Sequence, residues 1–282
     1  MMENIAKFLP KLAQKSPSIG SETKSTSEGG SDLVLELEKK QAEIMNRTPG
    51  RLNDGIDCPK CMNRGYFYTA YRNERNGMIY QGSYECECMQ KRRNLRRLRA
   101  SGLEGAIRTQ TFYTFSHAEP WQQEIYDSAK ACVNDPGAWW YIGGQPGAGK
   151  THICTAIAGQ LMRELDVLYM RWIDDGAKLK ATVMDAPEYD RLIIPYKRVD
   201  VLYIDDFLKP TRGSMPTDAD IRLAYEIINS RYTSNRKTLI SSERAIEALY
   251  DIDSAIAGRI MERAKGYTHT IMGAGKDWRV KH

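Results

Sequence analysis

The sequence predicts an α/β fold in which a parallel sheet, covered by helices on both faces, carries a phosphate-binding loop, with a small cysteine-rich module ahead of it. Three observations predict it. Gly144-Gln145-Pro146-Gly147-Ala148-Gly149-Lys150-Thr151 fits the spacing G-x-x-x-x-G-K-[ST], in which glycines turn backbone N–H groups onto phosphates, the lysine faces the β and γ groups and the threonine hydroxyl ligates Mg²⁺. Strand-like apolar runs alternate with helical stretches through the second half of the chain. Four of the six cysteines form two close pairs, Cys58-Pro59-Lys60-Cys61 and Cys86-Glu87-Cys88, separated by 24 residues.

In chain order, residues 1–15 read as a short amphipathic segment with Ile5, Phe8, Leu9 and Leu12 on one side, interrupted at Pro10. The Ser-, Gly- and Thr-rich residues 16–31 read as a flexible linker. Residues 32–101 form the next segment: Asp32 caps a helix over Leu33 to Asn46, and the runs Arg64 to Tyr71 and Met78 to Glu85 flank Asn76-Gly77 as a hairpin clipped at its base by the cysteines. With no export signal ahead of them, the four thiols suit tetrahedral Zn²⁺ better than disulfides, and a site with four thiolates has no open position, so the ion is structural. Lys91, Arg92, Arg93, Arg96, Arg97 and Arg99 then crowd a helix over Gln90 to Ala100, which either tracks a nucleic-acid backbone or serves as a solvated, partner-facing connector. Residues 102–120 are a connector to the main domain, 121–282.

Composition agrees with this division. Up to residue 110 there are 19 lysines and arginines against 13 acidic residues, and after it 22 against 23, so the net +5 belongs to the N-terminal part. No apolar run approaches membrane-span length and Met1 to Leu12 lacks the apolar core of a signal peptide, so a cytoplasmic protein with no membrane partner is expected.

Within the main domain, Ala138 to Ile142 is the strand that enters the phosphate loop, and His152 to Ala158 continues the helix that leaves it. Further strands are expected at Val167 to Ile173, Val199 to Asp205, Lys237 to Ser242 and Thr268 to Met272, with helical stretches such as Ile221 to Arg231 between them. The third of these five strands ends in Asp205-Asp206: Asp205 would reach the Mg²⁺ shell, and Asp206 would polarise an attacking water, which points to hydrolysis. Asp is one methylene shorter than Glu, so weak intrinsic turnover is expected. Ser241-Ser242-Glu243 places polar groups near the phosphates, Cys132 and Cys154 read as core, and Arg259, Arg263 and Arg279 are arginines that can be offered to phosphate.

The phosphate loop followed by Thr-His, the strand ending in Asp-Asp, Ile-Asn-Ser-Arg-Tyr at residues 228–232, Ser-Ser-Glu, Arg-Ile-Met-Glu-Arg and the final Asp-Trp-Arg resemble the DnaC/DnaI-type replicative helicase loaders, AAA+ ATPases of bacteria and their phages. The resemblance covers about Trp121 to His282, and the cysteine module with its basic helix is similar to the N-terminal part of the DnaI-like branch. It implies an AAA+ domain with a very short lid that binds ATP and Mg²⁺, self-associates, touches single-stranded DNA and delivers a hexameric replicative helicase to it. By position, Lys150 and Thr151 match Walker A, Asp205 and Asp206 match Walker B, and Ser242-Glu243 matches sensor I, where relatives often have Asn. Arg263 matches the arginine finger, with Arg259 as the alternative, and Arg279 matches sensor II. An IstB-type transposition-helper ATPase has nearly the same core, although the cysteine module suits the loader branch better. A small-molecule kinase is disfavoured by the second carboxylate and the late arginines, and a DnaA-like initiator by the lack of room for a helix-turn-helix domain.

Overall fold

The computed structural model describes residues 28–210 and 215–277. The segment 1–15, most of the linker 16–31 and Arg279 lie outside the described residues. The chain divides into two compact units between Arg92 and Arg93.

In the first unit, helix α1 (Glu28–Asn46) begins before the expected Asp32 cap, and Asp32, inside the helix, pairs with Arg72 2.7 Å away. Strands β1 (Tyr66–Arg72) and β2 (Ile79–Glu85) pair antiparallel, from Tyr66 opposite Glu85 to Arg72 opposite Ile79. Buried Arg64 donates to the carbonyls of Met45, Asn46 and Thr48, which ties it to the end of α1 and the turn that follows. Helix α2 (Cys88–Ser101) follows.

The second unit holds a five-stranded sheet of β3 (Trp140–Gly144), β4 (Val167–Arg171), β5 (Val201–Asp205), β6 (Lys237–Ser241) and β7 (Thr268–Ile271), in the order β4-β5-β6-β3-β7 with every pair parallel. Its helices are α3 (Glu104–Thr109), α4 (Pro120–Asn134), α5 (Lys150–Leu161), α6 (Trp172–Ala181), α7 (Ala186–Arg198), α8 (Asp218–Thr233), α9 (Ile246–Tyr250) and α10 (Ser254–Arg263). The three central strands β5, β6 and β3 are buried on both faces, and their side chains alternate between two cores. Leu202, Ile204 and Ile240 face one layer, with α6, α7, α8 and α10, whereas Val201, Tyr203 and Leu239 face the other, with α4 and α5.

Two elements differ from the sequence reading. The strand expected to run to Ile173 stops at Arg171, because the Asp175 carboxylate accepts the Arg171 N–H at 3.0 Å and starts α6. The connector expected at 102–120 packs into the sheet unit: Leu103 and Phe115 are buried with Trp140 and Ile142. The basic helix is engaged as well. Arg92 binds the Ile56 carbonyl at 2.7 Å and the Asp54 carboxylate, Arg93 and Arg97 lie 3.5 and 3.3 Å from Asp166, and Arg99 lies 3.3 Å from Glu104.

Arg231, in the Ile-Asn-Ser-Arg-Tyr stretch, is fully buried at the end of α8. It donates to Thr238 Oγ1 at 2.9 Å and to the carbonyls of Tyr196 and Val199 at 2.8 and 3.0 Å, which ties α7, α8 and the start of β6 together. Its role is structural.

Candidate functional site

The phosphate loop leaves β3 at Gly144 and enters α5 at Lys150. At Gly144, φ is 132° and a Cβ would lie 2.1 Å from the Ile271 carbonyl oxygen, so both conformation and crowding demand glycine. The loop is anchored on the far side by Gln145, whose N–H donates to Ile271 O at 3.0 Å and whose side-chain oxygen accepts the Gly273 N–H at 2.9 Å. Gly149 is the left-handed cap of α5, so the first N–H groups of that helix are presented to an anion. Lys150 is buried, with its ammonium donating to the carbonyls of Gly144 and Gln145 at 2.8 Å each. Burial lowers its pKa, and Asp206, Glu243 and Asp205 act in the opposite direction, which places all three carboxylates within electrostatic reach of the lysine.

Asp205 is the convergence point of four hydroxyls. Thr151 Oγ1 donates to Oδ1 at 3.3 Å, Tyr203 OH to Oδ1 at 3.0 Å and Tyr169 OH to Oδ2 at 2.9 Å, and Ser241 Oγ donates to Oδ1. Burial, then the Asp205 charge, pushes both phenols well above their ordinary value, so they remain donors. A Mg²⁺ octahedron with bonds near 2.1 Å sets neighbouring oxygens about 3 Å apart, so Thr151 and Asp205 are spaced to hold the ion directly or through one water.

Ser241 and Ser242 take different directions. Ser241 faces Asp205 and also accepts the Asp206 N–H at 3.2 Å. Ser242, expected at the γ-phosphate, is fully buried, and its hydroxyl donates to the Phe207 carbonyl at 3.0 Å. Asp206 and Glu243 are joined through Lys209, whose ammonium lies 3.0 and 2.8 Å from them. Ser241 belongs to the Ser-Ser-Glu stretch expected near the phosphates, whereas Tyr169, Tyr203 and Lys209 were not singled out from the sequence. Tyr203 was findable, since it stands two residues before Asp205 and therefore on the same strand face, and Tyr169 is its register partner on β4.

Arg259 and Arg263 are not gathered to this site. The Arg263 guanidinium donates to Tyr232 O at 2.9 Å and lies 5.1 Å above the Tyr232 ring, and Arg259 lies 5.1 Å above Tyr225. The Arg263 carbonyl accepts the N–H of Trp139, just before β3 begins, whereas the phosphate loop leaves the other end of that strand. Five residue steps along a strand span about 16 Å, which separates the backbone end of α10 from the phosphate loop of the same chain.

In the first unit, all four sulfurs of Cys58, Cys61, Cys86 and Cys88 lie within 4.8 Å of one another. The pairs Cys58–Cys86 and Cys61–Cys88 are 3.8 and 3.6 Å apart, close to the edge of about 3.8 Å of a tetrahedron with 2.3 Å Zn–S bonds. Left-handed Met62 and Asn63 turn the first pair, and the Gly65 N–H donates to Cys61 Sγ at 3.3 Å. The second pair tolerates a single intervening residue because Cys86 follows the end of β2 and Cys88 opens α2. Burial raises the Cys61 thiol, but the Gly65 N–H and the neighbouring thiols outweigh it and bring it down to about 7, whereas burial pushes Cys86 up to about 12. The donor set fits a dication that displaces thiol protons.

The parallel sheet, the glycine loop closed by Lys150 and Thr151, and Asp205 at the end of β5, with β6 between it and the strand that feeds the loop, define an AAA+ P-loop ATP-binding domain. The chain belongs to the IstB-like ATP-binding protein family, whose model matches residues 79–282. It is similar to the phage-like element PBSX protein XkdC of Bacillus subtilis, 33% identical over 86% of this chain and 92% of the relative. It is also similar to YqaM of the same organism, 30% identical over 68% of this chain and 64% of YqaM. Among solved structures it resembles the DnaC helicase loader in fold, with a TM-score of 0.51 at 19% identity, over 60% of this chain and 99% of that one. No helix among the described residues is long and apolar enough to cross a membrane.

Proposed function

We propose that the protein is an ATP-hydrolysing loader that binds a hexameric replicative helicase and delivers it to single-stranded DNA. The observation that carries this reading is the placement of Arg263 at the end of β3 away from the phosphate loop, which suits an ATPase whose subunits complete one another's sites. In this reading Lys150 and the loop N–H groups hold the triphosphate, Thr151 and Asp205 hold Mg²⁺, Asp206 polarises the attacking water, and Arg263 is offered to a neighbour's γ-phosphate. The kinship with a phage-element protein supports a phage or prophage setting. The test is capture of purified replicative helicase by the full chain in the presence of Mg–ATP. Stable complex formation is expected; its absence, with ATP hydrolysis intact, favours the transposition-helper alternative that the family description also allows.

In the same reading the four cysteines hold a structural Zn²⁺. Protein purified under reducing conditions is expected to carry about one zinc per chain, and strong chelation to unfold the first unit while leaving ATP binding in place. Metal analysis settles the first point, and circular dichroism with nucleotide titration the second. Zinc-free protein with an intact first unit would remove the metal from the account.

A further inference from the structure

The chain leaving β5 turns back on itself. Asp206 and Leu208 both adopt φ of 55°, a left-handed conformation that residues with side chains avoid unless their surroundings hold them in it. The turn closes with the Lys209 N–H donating to the Asp206 carbonyl at 3.0 Å, and it is stitched to the next strand end by Phe207 N–H to Ser241 O at 2.8 Å and Ser242 Oγ to Phe207 O at 3.0 Å. The backbones of Asp206 and Glu243 are thereby fixed on two joined turns. Lys209 reaches between them, at the wall of an open cleft formed by Phe207–Pro210 and Ser242–Arg244.

We propose that Lys209 is a positioning residue of the ATPase reaction: seated on Asp206 and Glu243 together it withholds Asp206 from water, and a shift of its ammonium wholly onto Glu243 releases that carboxylate. The proposal rests on the hydrolytic reading of Asp206 given above. A carboxylate oxygen that already accepts an N⁺–H bond has less negative charge and one lone pair fewer to offer a water proton. The geometry supplies a second seat in advance, since Glu243 Oε1 lies 2.8 Å from the same ammonium whose distance to Asp206 Oδ2 is 3.0 Å. The hydrogen bond to Glu243 raises the lysine pKa against the opposing effect of burial, so it stays charged in either seat. Side-chain exposures of 32% for Lys209, 39% for Asp206 and 35% for Glu243 keep each pair weak enough to exchange.

Steady-state hydrolysis of Mg–ATP by the full chain tests this, with binding of a fluorescent ATP analogue and thermal unfolding measured alongside. Lys209→Met is expected to raise kcat by about three- to tenfold with KM and analogue affinity unchanged. Lys209→Gln, a second neutral variant, is expected to do the same should the methionine variant fold poorly, and Lys209→Arg to stay near wild type because it keeps the charge between the two carboxylates. Combining Lys209→Met with Asp206→Asn is expected to return turnover to that of Asp206→Asn alone. An unchanged or lowered kcat in the neutral variants overturns the proposal, as does a gain that persists in the double variant. If Asp206→Asn alone turns over like wild type, the hydrolytic role of Asp206 falls and the proposal falls with it. If Asp206→Asn is slow and the neutral lysine variants are unchanged, only the role of Lys209 falls.

Discussion

Lys150→Ala is expected to abolish ATP binding, with an affinity loss of about a hundredfold or more, since a charge-assisted contact to the β and γ phosphates disappears. The structure adds a second reason. The Lys150 ammonium is the donor for the Gly144 and Gln145 carbonyls, so the variant also loosens the loop that presents the N–H groups. Lys150 is buried in that loop and not an exposed charge, and the packed layers behind it are untouched by the change. Titration with a fluorescent ATP analogue measures the loss. Thermal unfolding separates it from misfolding: wild type is expected to gain stability with saturating Mg–ATP, and the variant to unfold at one temperature with or without nucleotide. Undiminished analogue binding would remove the loop from the site.

The second large effect concerns Arg263. Arg263→Ala is expected to bind ATP normally and to lose the hydrolysis that depends on assembly by about a thousandfold, the size found for a missing arginine finger in related chemistry. A surface salt bridge, worth under about 1 kcal/mol, cannot produce such a loss. Mixing Arg263→Ala with Lys150→Ala is expected to restore part of the activity, since one variant supplies an intact nucleotide site and the other an intact arginine. A mixture that assembles and stays inactive transfers the role to Arg259, which rests on Tyr225 one helical turn earlier.

The features legible in the sequence are those whose cause is local. The phosphate loop needs a fixed spacing of glycines, and the β5 run ends in carboxylates because a parallel strand buried on both faces becomes polar only where it emerges. The cysteine cluster was legible for the same reason, as two short chelating turns. Hidden features depend on residues distant in sequence. Ser241 and Ser242 differ only in strand parity: Tyr203 pairs with Leu239, so the residue two further along β6, Ser241, shares a face with Asp205, and Ser242 points the other way. Lys209 reaches Asp206 only because two residues between strand and lysine take left-handed angles that nothing in their identities announces. The expected end of β4 failed for a related reason, since the apolar Trp172-Ile173 pair fits a strand or a helix until Asp175 caps the helix.

The ring of hydroxyls around Asp205 bears on the order in which ligands arrive. A carboxylate offers about four lone-pair directions; Thr151, Tyr203 and Ser241 crowd Oδ1 of Asp205 and Tyr169 takes one direction of Oδ2, which leaves a single direction of Oδ2 without one of these donors. A solitary cation gains at most one oxygen of this carboxylate unless it also displaces a hydroxyl from Oδ1, a poor exchange against its hydration shell. A cation already chelated by the triphosphate brings most of its coordination with it and asks Asp205 for little. The arrangement therefore favours entry of metal and nucleotide as a single species, with the tyrosines holding the carboxylate in register until that species docks.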